Sequence, residues 1–364
     1  MKRLIYILLS LGVALMVLIG ACAPLAGGSR PGHGVTVRMA QVTWDTGWFQ
    51  AQVYKLLLEE LGYTVTGPET LGTVAFYFYT AGGDIDFWAN GWFPLHERYL
   101  HHSDILGKVK ATGSQVEAGA LQGYLVDRAT ADRLGITNLG DLQDPDIAAE
   151  FDTDGDGKAD LIGCNPSWGC WRTVEHQIDD YGLRDTVDHI QGDYSALMAD
   201  AIARYRLGEP LLAYTWTPNW TVSELVVGED VTWLSVPFSS WPDDPEADTE
   251  VESMPVCLET PCNIGFAPSD IRVVANVEFL GGNPTAAALF ELVVIPVQDI
   301  AAQNVRMRAG ETSAEDVIRH AEEWIEANRT QVDVWLAAAG TDVGATAPQP
   351  ATRSDARRTT ASAL

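Results

Sequence analysis

The sequence predicts an α/β protein built on a mostly parallel sheet with crossover helices, and three consecutive segments predict it. Val35, Val37 and Met39 alternate with polar or small residues, which is typical of a strand. The segment 49–61 carries apolar residues at i, i+4, i+7, i+8 and i+12, which predicts a helix. Residues 63–67 predict a second strand. This strand–helix–strand order favours a parallel pair joined by a crossover helix.

The remaining elements continue the alternation of strands and helices. Further strands are predicted at 119–127, 211–216 and 270–276, and helices at 130–136, 139–151, 194–208 and 283–294. Asn283 is the expected N-cap of the last of these, with Pro284 at its first position. Thr312 and Glu315 predict a capping box for a final helix that extends to about residue 339. Residues 340–364 lack apolar periodicity and are predicted to be disordered.

The charge of the chain excludes one class of partner. Its 364 residues contain 50 acidic and 23 basic side chains, a formal net charge of -27. Nucleic-acid binding needs clusters of Lys and Arg, so no nucleic-acid partner is expected. The excess of acid favours a protein that handles a small molecule, cationic ones included.

The N-terminus predicts export. Lys2 and Arg3 precede an apolar run that ends at residue 21, which predicts a signal peptide over 1–21. The segment "IGAC" at 19–22 resembles a lipoprotein box, so we expect cleavage before Cys22 and a lipid on its thiol. Residues 22–34 would then form a lipidated tether that anchors the protein to the outer face of the membrane. A plain signal anchor is the alternative.

Four further cysteines predict disulfides in the oxidising compartment that export implies. Cys164, Cys170, Cys257 and Cys262 form a C-x5-C and a C-x4-C pair, and neither matches the usual zinc spacings. Three connectivities are open, and the local one closes the shortest loops. A local bridge in "GCNPSWGCW" would contribute only roughly 2 kcal/mol of chain entropy. Its main value would be to fix the turn that carries Trp168.

An acidic loop, "DTDGDGKAD", resembles part of a calcium-binding loop. Its acidic residues fall at positions one, three, five and nine of that loop: Asp152, Asp154, Asp156 and Asp160. Gly163 occupies position twelve, where a calcium loop has a bidentate Glu. A weak structural calcium site and a solvated turn are therefore both open, and we favour the turn.

The sequence offers no catalytic motif. HExxH, GxSxG and the phosphate-binding loop are missing, and the seven histidines show no ligand spacing beyond the adjacent His101 and His102. We therefore predict a protein that is not an enzyme and needs no cofactor.

The chain contains twelve tryptophans, and the context of some of them indicates a binding site. Three of them lie at the edges of predicted elements: Trp92 and Trp216 where a strand meets a loop, and Trp168 in the turn that a Cys164–Cys170 bridge would close. Such edges are where α/β folds bind ligands. A quaternary ammonium cannot donate a hydrogen bond, so the face of an indole is its natural partner. Three such faces predict a cage for this chemical group.

Long motifs carry a resemblance to a known family. They run in order from about residue 35 to 338 and include "NGWFPLH", "DTDGDGKADLIGCNPSWGCW" and "MADAIARYRLGEPLLAYTWTPNW". The chain resembles the periplasmic glycine betaine/proline betaine-binding proteins of osmoprotectant ABC importers. The resemblance implies capture of a quaternary ammonium zwitterion and its delivery to an ABC permease, by a protein that we expect to be a monomer.

The resemblance also implies roles for individual residues. Trp92, Trp168 and Trp216 would cage the ammonium. His96 and the backbone N–H groups of Gly169 and Cys170 would hold the carboxylate. A disulfide between Cys164 and Cys170 would match one in the family.

The fold that the resemblance implies is the two-domain periplasmic-binding-protein fold (type II), with the ligand cleft at the hinge. Lobe I would comprise 35–116 and 266–339, and lobe II 117–265. Ligand binding would close the lobes, and the permease would recognise the closed form.

Four features depart from the family pattern, and they bear on which ligand is bound more than on the class of protein. The lipid site at Cys22 and the second cysteine pair are additions, Trp171 replaces an acidic residue, and "TWDTGW" brings Trp44 towards the pocket. Choline, carnitine and trimethylamine N-oxide are alternative ligands. An exported carbohydrate-active enzyme and an adhesion module are the distant alternatives.

Overall fold

The structure of the protein, a computed structural model, describes residues 30–242, 244, 246–252, 254 and 256–341. The predicted signal peptide, the lipid site at Cys22 and residues 23–29 of the tether lie outside the described residues, as do residues 342–364 of the predicted tail. Residues 340 and 341 belong to the last helix.

Strands and helices alternate as the sequence predicted as far as the strand Val231–Leu234, after which three more strands and then five helices follow. The strands are β1 Thr36–Val42, β2 Thr64–Leu71, β3 Phe87–Phe93, β4 Val109–Asp127, β5 Ala159–Ile162, β6 Val187–Ile190, β7 Leu212–Thr217, β8 Val231–Leu234, β9 Glu250–Val251, β10 Cys262–Asn263 and β11 Ser269–Asn276. The helices are α1 Trp48–Glu60, α2 Thr73–Gly82, α3 Glu97–Leu100, α4 Arg128–Leu134, α5 Pro145–Ala148, α6 Cys170–Asp180, α7 Tyr194–Tyr205, α8 Thr221–Glu224, α9 Val277–Gly282, α10 Pro284–Leu292, α11 Val297–Arg308, α12 Ala314–Ala327 and α13 Arg329–Thr341. Short 3₁₀ turns lie at Asp45–Gly47, Leu139–Gln143 and Ala149–Phe151.

The opening β1–α1–β2 unit confirms the first predicted motif. β1 pairs with β2 in parallel, and Val37 and Met39 point into the core. Phe49, Val53 and Leu57 are fully buried on one side of α1, as their spacing predicts, and Tyr54 and Leu58 are fully buried as well.

The folded part of the chain begins a few residues before the predicted boundary between residues 34 and 35. The N–H of Gly32, in the predicted tether, donates to the carbonyl of Leu61 at 2.9 Å. A Cβ at Gly32 would lie 2.4 Å from the ring of Tyr63, so only glycine fits this close approach.

Nine strands among the described residues form one continuous sheet in the order β2-β1-β3-β11-β4-β7-β5-β6, with β8 also paired to β4. The outer pairs are parallel, as the crossover helices require. β11 and β4 pair antiparallel with each other and with their neighbours. The fold is therefore the predicted α/β arrangement, with two antiparallel strands at its centre.

Strand β4 joins the two halves of the sheet. It is longer than the predicted strand at 119–127 and begins at Val109. Its first half pairs with β11, and its second half pairs with β7 and β8. Between the halves, Ala118 has a φ of 46°, and its N–H donates to the Asp270 carboxylate at 2.7 Å. The chain thus changes direction between the two sets of pairings.

Two predictions about helix ends were wrong in detail. The capping box forms between Ser313 and Asp316, one residue later than the predicted Thr312 and Glu315. The helix that follows ends at Ala327 and a second one begins at Arg329. At the break, the Asn328 side chain donates to the carbonyl of Trp324. The N-terminus of α10 is as predicted, with Asn283 at the N-cap and Pro284 at the first position, although the Asn283 side chain donates to the carbonyl of Phe279 and makes no capping bond.

In the described part of the chain, no single helix combines the length and apolarity of a membrane span. Only Pro284–Leu292 and Val297–Arg308 taken together pass that test, and they meet at an angle of 91°.

Candidate functional site

A cavity lies between the two halves of the sheet, where strands end. Trp44 follows β1, Trp92 lies near the end of β3, and Trp168 lies in the loop after β5. Trp216 lies near the end of β7. These strands are distant in sequence, but their carboxyl ends meet across the cleft, which is where open α/β sheets place ligands.

The space between the lining side chains, together with the part that is open to solvent, is about 290 Å³. It is lined by Trp44, Trp92, Leu95, His96, Gln122, Trp168, Gly169, Cys170, Tyr214 and Trp216. Every residue that the sequence assigned to a ligand is in this set. Leu95, Gln122 and Tyr214 are additional.

The indoles form walls at steep angles to one another. The rings of Trp44 and Trp168 are 5.5 Å apart at 72°, and those of Trp168 and Trp216 are 5.4 Å apart at 88°. Trp92 and Trp216 are almost fully buried, while Trp168 is only partly buried. Aromatic rings arranged in this way enclose a small volume with π-faces.

Each indole N–H of these walls has a partner in the protein. Trp44 and Trp92 both donate to the side-chain oxygen of Asn90, each at 2.9 Å. Trp168 donates to Thr43 at 2.8 Å, and Trp216 to Thr46 at 3.2 Å. The polar edges of the rings are therefore satisfied by the protein, and Asn90 orients two rings at once.

The segment "TWDTGW" connects the two sides of the cleft. Besides the bonds from Trp168 and Trp216, its Asp45 carboxylate accepts from the Ser195 hydroxyl at 2.8 Å. Burial raises the pKa of Asp45, and the bond from Ser195 opposes that rise. Further along the rim, the N–H of Thr73 donates to the carbonyl of Ser167 at 3.0 Å. The two sides are in direct contact in this structure.

His96 supplies a hydrogen-bond donor to the cavity. The ring is buried among Tyr77, Trp88, Phe93 and Tyr99, and burial lowers its pKa to about 3, so it is neutral at pH 7. Its Nδ1 accepts the N–H of Trp92 at 3.3 Å. In a neutral imidazole the proton then resides on Nε2, which becomes a donor.

Two backbone N–H groups lie beside this imidazole. Gly169 is the N-cap of α6 and Cys170 its first residue, and the N–H groups of a first turn have no acceptor within their helix. A Cβ at Gly169 would lie 2.9 Å from His96 Nε2, so a side chain here would press on the imidazole. The first turn of α6 and His96 thus form one donor cluster, where a helix N-terminus also favours negative charge.

The polarity of the lining is asymmetric. Among the described residues that line the cavity, none is acidic, so no formal negative charge faces a ligand. Gln122 was missed by the sequence analysis, although a glutamine inside an otherwise apolar strand is a recognisable signal. The cavity therefore offers π-faces on one side and N–H donors on the other.

Both predicted local cysteine pairs are joined as disulfides, with Cα atoms 5.9 Å apart in each. Cys164–Cys170 closes the turn that carries Trp168 and Gly169. Within that turn, Asn165 accepts hydrogen bonds from the N–H and hydroxyl of Ser167. The second pair, Cys257–Cys262, lies next to Ser235 and does not line the cavity.

The acidic loop folds around its own carboxylates. Asp152, Asp154 and Asp156 place oxygens within 4.8 Å of one another. Asp152 accepts the N–H groups of Gly155 and Gly157, and these bonds lower its pKa. The Asp160 carboxylate instead bonds the N–H and hydroxyl of Thr153. The structure thus brings three of the four predicted calcium ligands together.

The buried imidazole makes stability depend on pH. The unfolded pKa of a histidine is about 6.5, so below this pH the unfolded chain binds a proton that the folded protein does not bind. Stability therefore falls as the pH falls, and the loss ends near the folded pKa of about 3. When the pH is lowered from about 6.5 to about 4.5, we expect His96 to reduce the free energy of unfolding by roughly 2 kcal/mol. Urea unfolding of wild type and His96→Gln at both pH values measures it, and parallel losses in the two proteins would contradict the expectation.

Comparison with known proteins places the chain in a family. Residues 35–327 match the model of the substrate-binding domain of ABC-type glycine betaine transport systems. The glycine betaine-binding periplasmic protein OusX of Dickeya dadantii is 46% identical over 310 residues, which cover 85% of this chain and 91% of that protein. The glycine betaine/proline betaine-binding periplasmic protein of Escherichia coli is 45% identical over 306 residues, which cover 84% and 90%.

Solved structures share the fold at low identity. The glycine betaine/L-proline-binding protein ProX of Borrelia burgdorferi has a TM-score of 0.63 at 19% identity, over 82% of this chain and 96% of its own. Lactococcal OpuAC, in a closed form with glycine betaine, has a TM-score of 0.62 at 17% identity, over 83% and 99%. The family match spans most of the chain, and its members are binding components of transporters and not enzymes. The chain therefore belongs to the family of substrate-binding domains of ABC-type glycine betaine transport systems.

Proposed function

We propose that the protein captures glycine betaine, proline betaine or a similar quaternary ammonium zwitterion outside the cytoplasm and delivers it to an ABC permease. The observation that carries the proposal is the two-sided cavity, with indole faces on one side and N–H donors on the other. A zwitterion with a permanent cation and a carboxylate matches both sides.

The aromatic side binds the trimethylammonium group. Trp92, Trp168 and Trp216 form the cage, and Trp44 adds a fourth wall. A desolvated cation–π contact contributes about 2 kcal/mol or more, so several faces together supply much of the affinity before the cost of association. Because Asn90 accepts the indole N–H groups of both Trp44 and Trp92 within lobe I, these two rings are held in place before the ligand arrives.

The donor side binds the carboxylate. The Nε2 proton of His96 and the N–H groups of Gly169 and Cys170 converge on it. A bare cation such as choline finds no side-chain carboxylate among the described residues of the lining to balance its charge. This asymmetry supports a zwitterion over choline, although the fold is shared with a choline-binding protein that has a TM-score of 0.62 at 16% identity, over 83% of this chain and 91% of its own.

Closure of two lobes delivers the ligand. Lobe I comprises 35–116 with 266–339, and lobe II comprises 117–265. The turn at Ala118 within β4, together with the start of β11, supports a hinge at these boundaries. The hydrogen bonds that Thr43, Asp45 and Thr46 accept from side chains of lobe II would then form on closing, so the permease meets a single surface built from both lobes.

The protein works as a monomer held at the outer face of the membrane by a lipid on Cys22. The lipoprotein box supports this location, and the periplasmic relatives support export. Fractionation of cells that express wild type or Cys22→Ala tests the anchor: the variant should leave the membrane fraction. Sedimentation of the exported domain tests the monomer.

Calorimetric titration tests the function. We expect stoichiometric binding of glycine betaine and proline betaine, weaker binding of choline, and little binding of proline, which lacks a quaternary nitrogen. Carnitine and trimethylamine N-oxide belong in the same series. Failure to bind any quaternary ammonium compound would contradict the proposal. Turnover of a bound sugar would favour the enzyme alternative.

The Cys164–Cys170 bridge should matter for affinity more than for folding. Replacing both cysteines by serine frees the turn that carries Trp168 and Gly169, so we expect weaker glycine betaine binding. The stability lost should be only roughly 2 kcal/mol, because the closed loop is short. The matched control is the double serine variant of Cys257 and Cys262, whose bridge does not line the cavity. Global unfolding of the first variant would mean that the bridge is needed for stability instead.

A weak calcium site at Asp152, Asp154 and Asp156 stays a prediction. No step of ligand binding depends on it. Titration of the metal-free protein with Ca²⁺ in a calorimeter tests it directly.

A further inference from the structure

Gln122 is a buried polar side chain in the wall of the cavity. It lies on β4 directly opposite Trp216 on β7, and residues opposite each other in an antiparallel pair project to the same face of the sheet. Its side chain therefore stands beside a wall of the tryptophan cage. Only 2% of the residue is exposed.

The amide of Gln122 is oriented by Tyr214. The Tyr214 hydroxyl donates to Gln122 Oε1 at 2.7 Å. Gln122 Nε2 has no hydrogen-bond partner among the described residues. A buried amide N–H without a partner costs stability, so a glutamine here is unfavourable for folding alone.

The carboxylate of a zwitterionic ligand is an acceptor suited to the unpartnered N–H groups of Gln122. The other donors of the lining, His96 Nε2 and the first turn of α6, already mark where a carboxylate would lie. We propose that Gln122 Nε2 donates a hydrogen bond to the carboxylate of the ligand, and that Gln122 thereby sets the preference for zwitterions over bare quaternary ammonium cations. This inference rests on the proposed function and adds a residue to the same site.

Two variants and two probes test it. Gln122→Met keeps the length of the side chain and removes the donor, while Gln122→Glu keeps the shape and adds a negative charge. The probes are glycine betaine and tetramethylammonium, which has the cation and no acceptor. Binding is followed by the fluorescence of the cage tryptophans, and thermal melting shows that each variant is folded.

We expect Gln122→Met to weaken glycine betaine binding about tenfold or more, as loss of a hydrogen bond to a charged group predicts, and to leave tetramethylammonium binding unchanged. Gln122→Glu should weaken glycine betaine further and strengthen tetramethylammonium. Equal losses for both probes would overturn the inference, because Gln122 would then only support the cage. Unchanged glycine betaine affinity in Gln122→Met, or tighter binding in Gln122→Glu, would also overturn it. If wild type bound no glycine betaine, the proposed function itself would fail.

Discussion

Trp168→Ala is expected to weaken glycine betaine binding at least about tenfold, the loss of one desolvated cation–π contact. Trp168 stands between two other walls, with its ring 5.5 Å from that of Trp44 and 5.4 Å from that of Trp216. Its removal therefore opens the cage at its centre. It also removes the bond to Thr43 across the cleft, which weakens the contact between the two sides. Calorimetric titration with glycine betaine measures the change.

Trp171→Ala is the matched control for this variant. Trp171 lies three residues further along, on the first turn of α6, and is also partly buried. Its indole donates to Gln191 and does not line the cavity. The control should keep wild-type affinity, and an unchanged affinity in Trp168→Ala would remove Trp168 from the site.

Elements whose apolar residues recur at a regular period could be predicted from the local sequence alone. β1 buries Val37 and Met39 as its pattern marks, α1 buries its marked residues apart from the partly buried Leu56, and β7 is buried along most of its length. The first half of β4 could not be found in this way, because it carries buried polar residues. Thr112 bonds the Glu291 carboxylate and Gln115 bonds the carbonyl of Ala89, so tertiary contacts satisfy groups that look solvent-exposed in sequence.

The meeting of the tryptophans is a property of the topology and not of any local pattern. Trp44, Trp92, Trp168 and Trp216 come from four strands or the loops after them, and only the sheet order brings these together. From the sequence, the meeting of these tryptophans could be predicted only through the resemblance to a known family. Asn90 could not be assigned from sequence, because its role depends on which indoles it meets. Gln122 is recognisable as a polar residue in an apolar strand, but its contact with Tyr214 follows only from the pairing of the strands.

His96→Leu should separate zwitterions from cations. Leucine fills much of the space of the imidazole but cannot donate to a carboxylate. A hydrogen bond to a charged group contributes about 1.5–3 kcal/mol, so glycine betaine binding should weaken roughly 10- to 100-fold. Choline has no carboxylate and should lose far less. Titration of both ligands with wild type and variant gives the ratio of the two losses.

A second variant tests the same position from the other side of the cleft. Gly169→Ala keeps His96, but the new Cβ would lie 2.8 Å from its ring, so the imidazole must shift away from the first turn of α6. Gly169 has a φ of -63°, which alanine adopts without strain, so the change acts through the contacts of the new Cβ, with His96 first and with Leu95 at 3.3 Å second. We expect the loss to be again larger for glycine betaine than for choline. If both variants instead weakened the two ligands equally, His96 would be a packing residue of the cavity wall, and the carboxylate would have to be bound by the backbone N–H groups and Gln122.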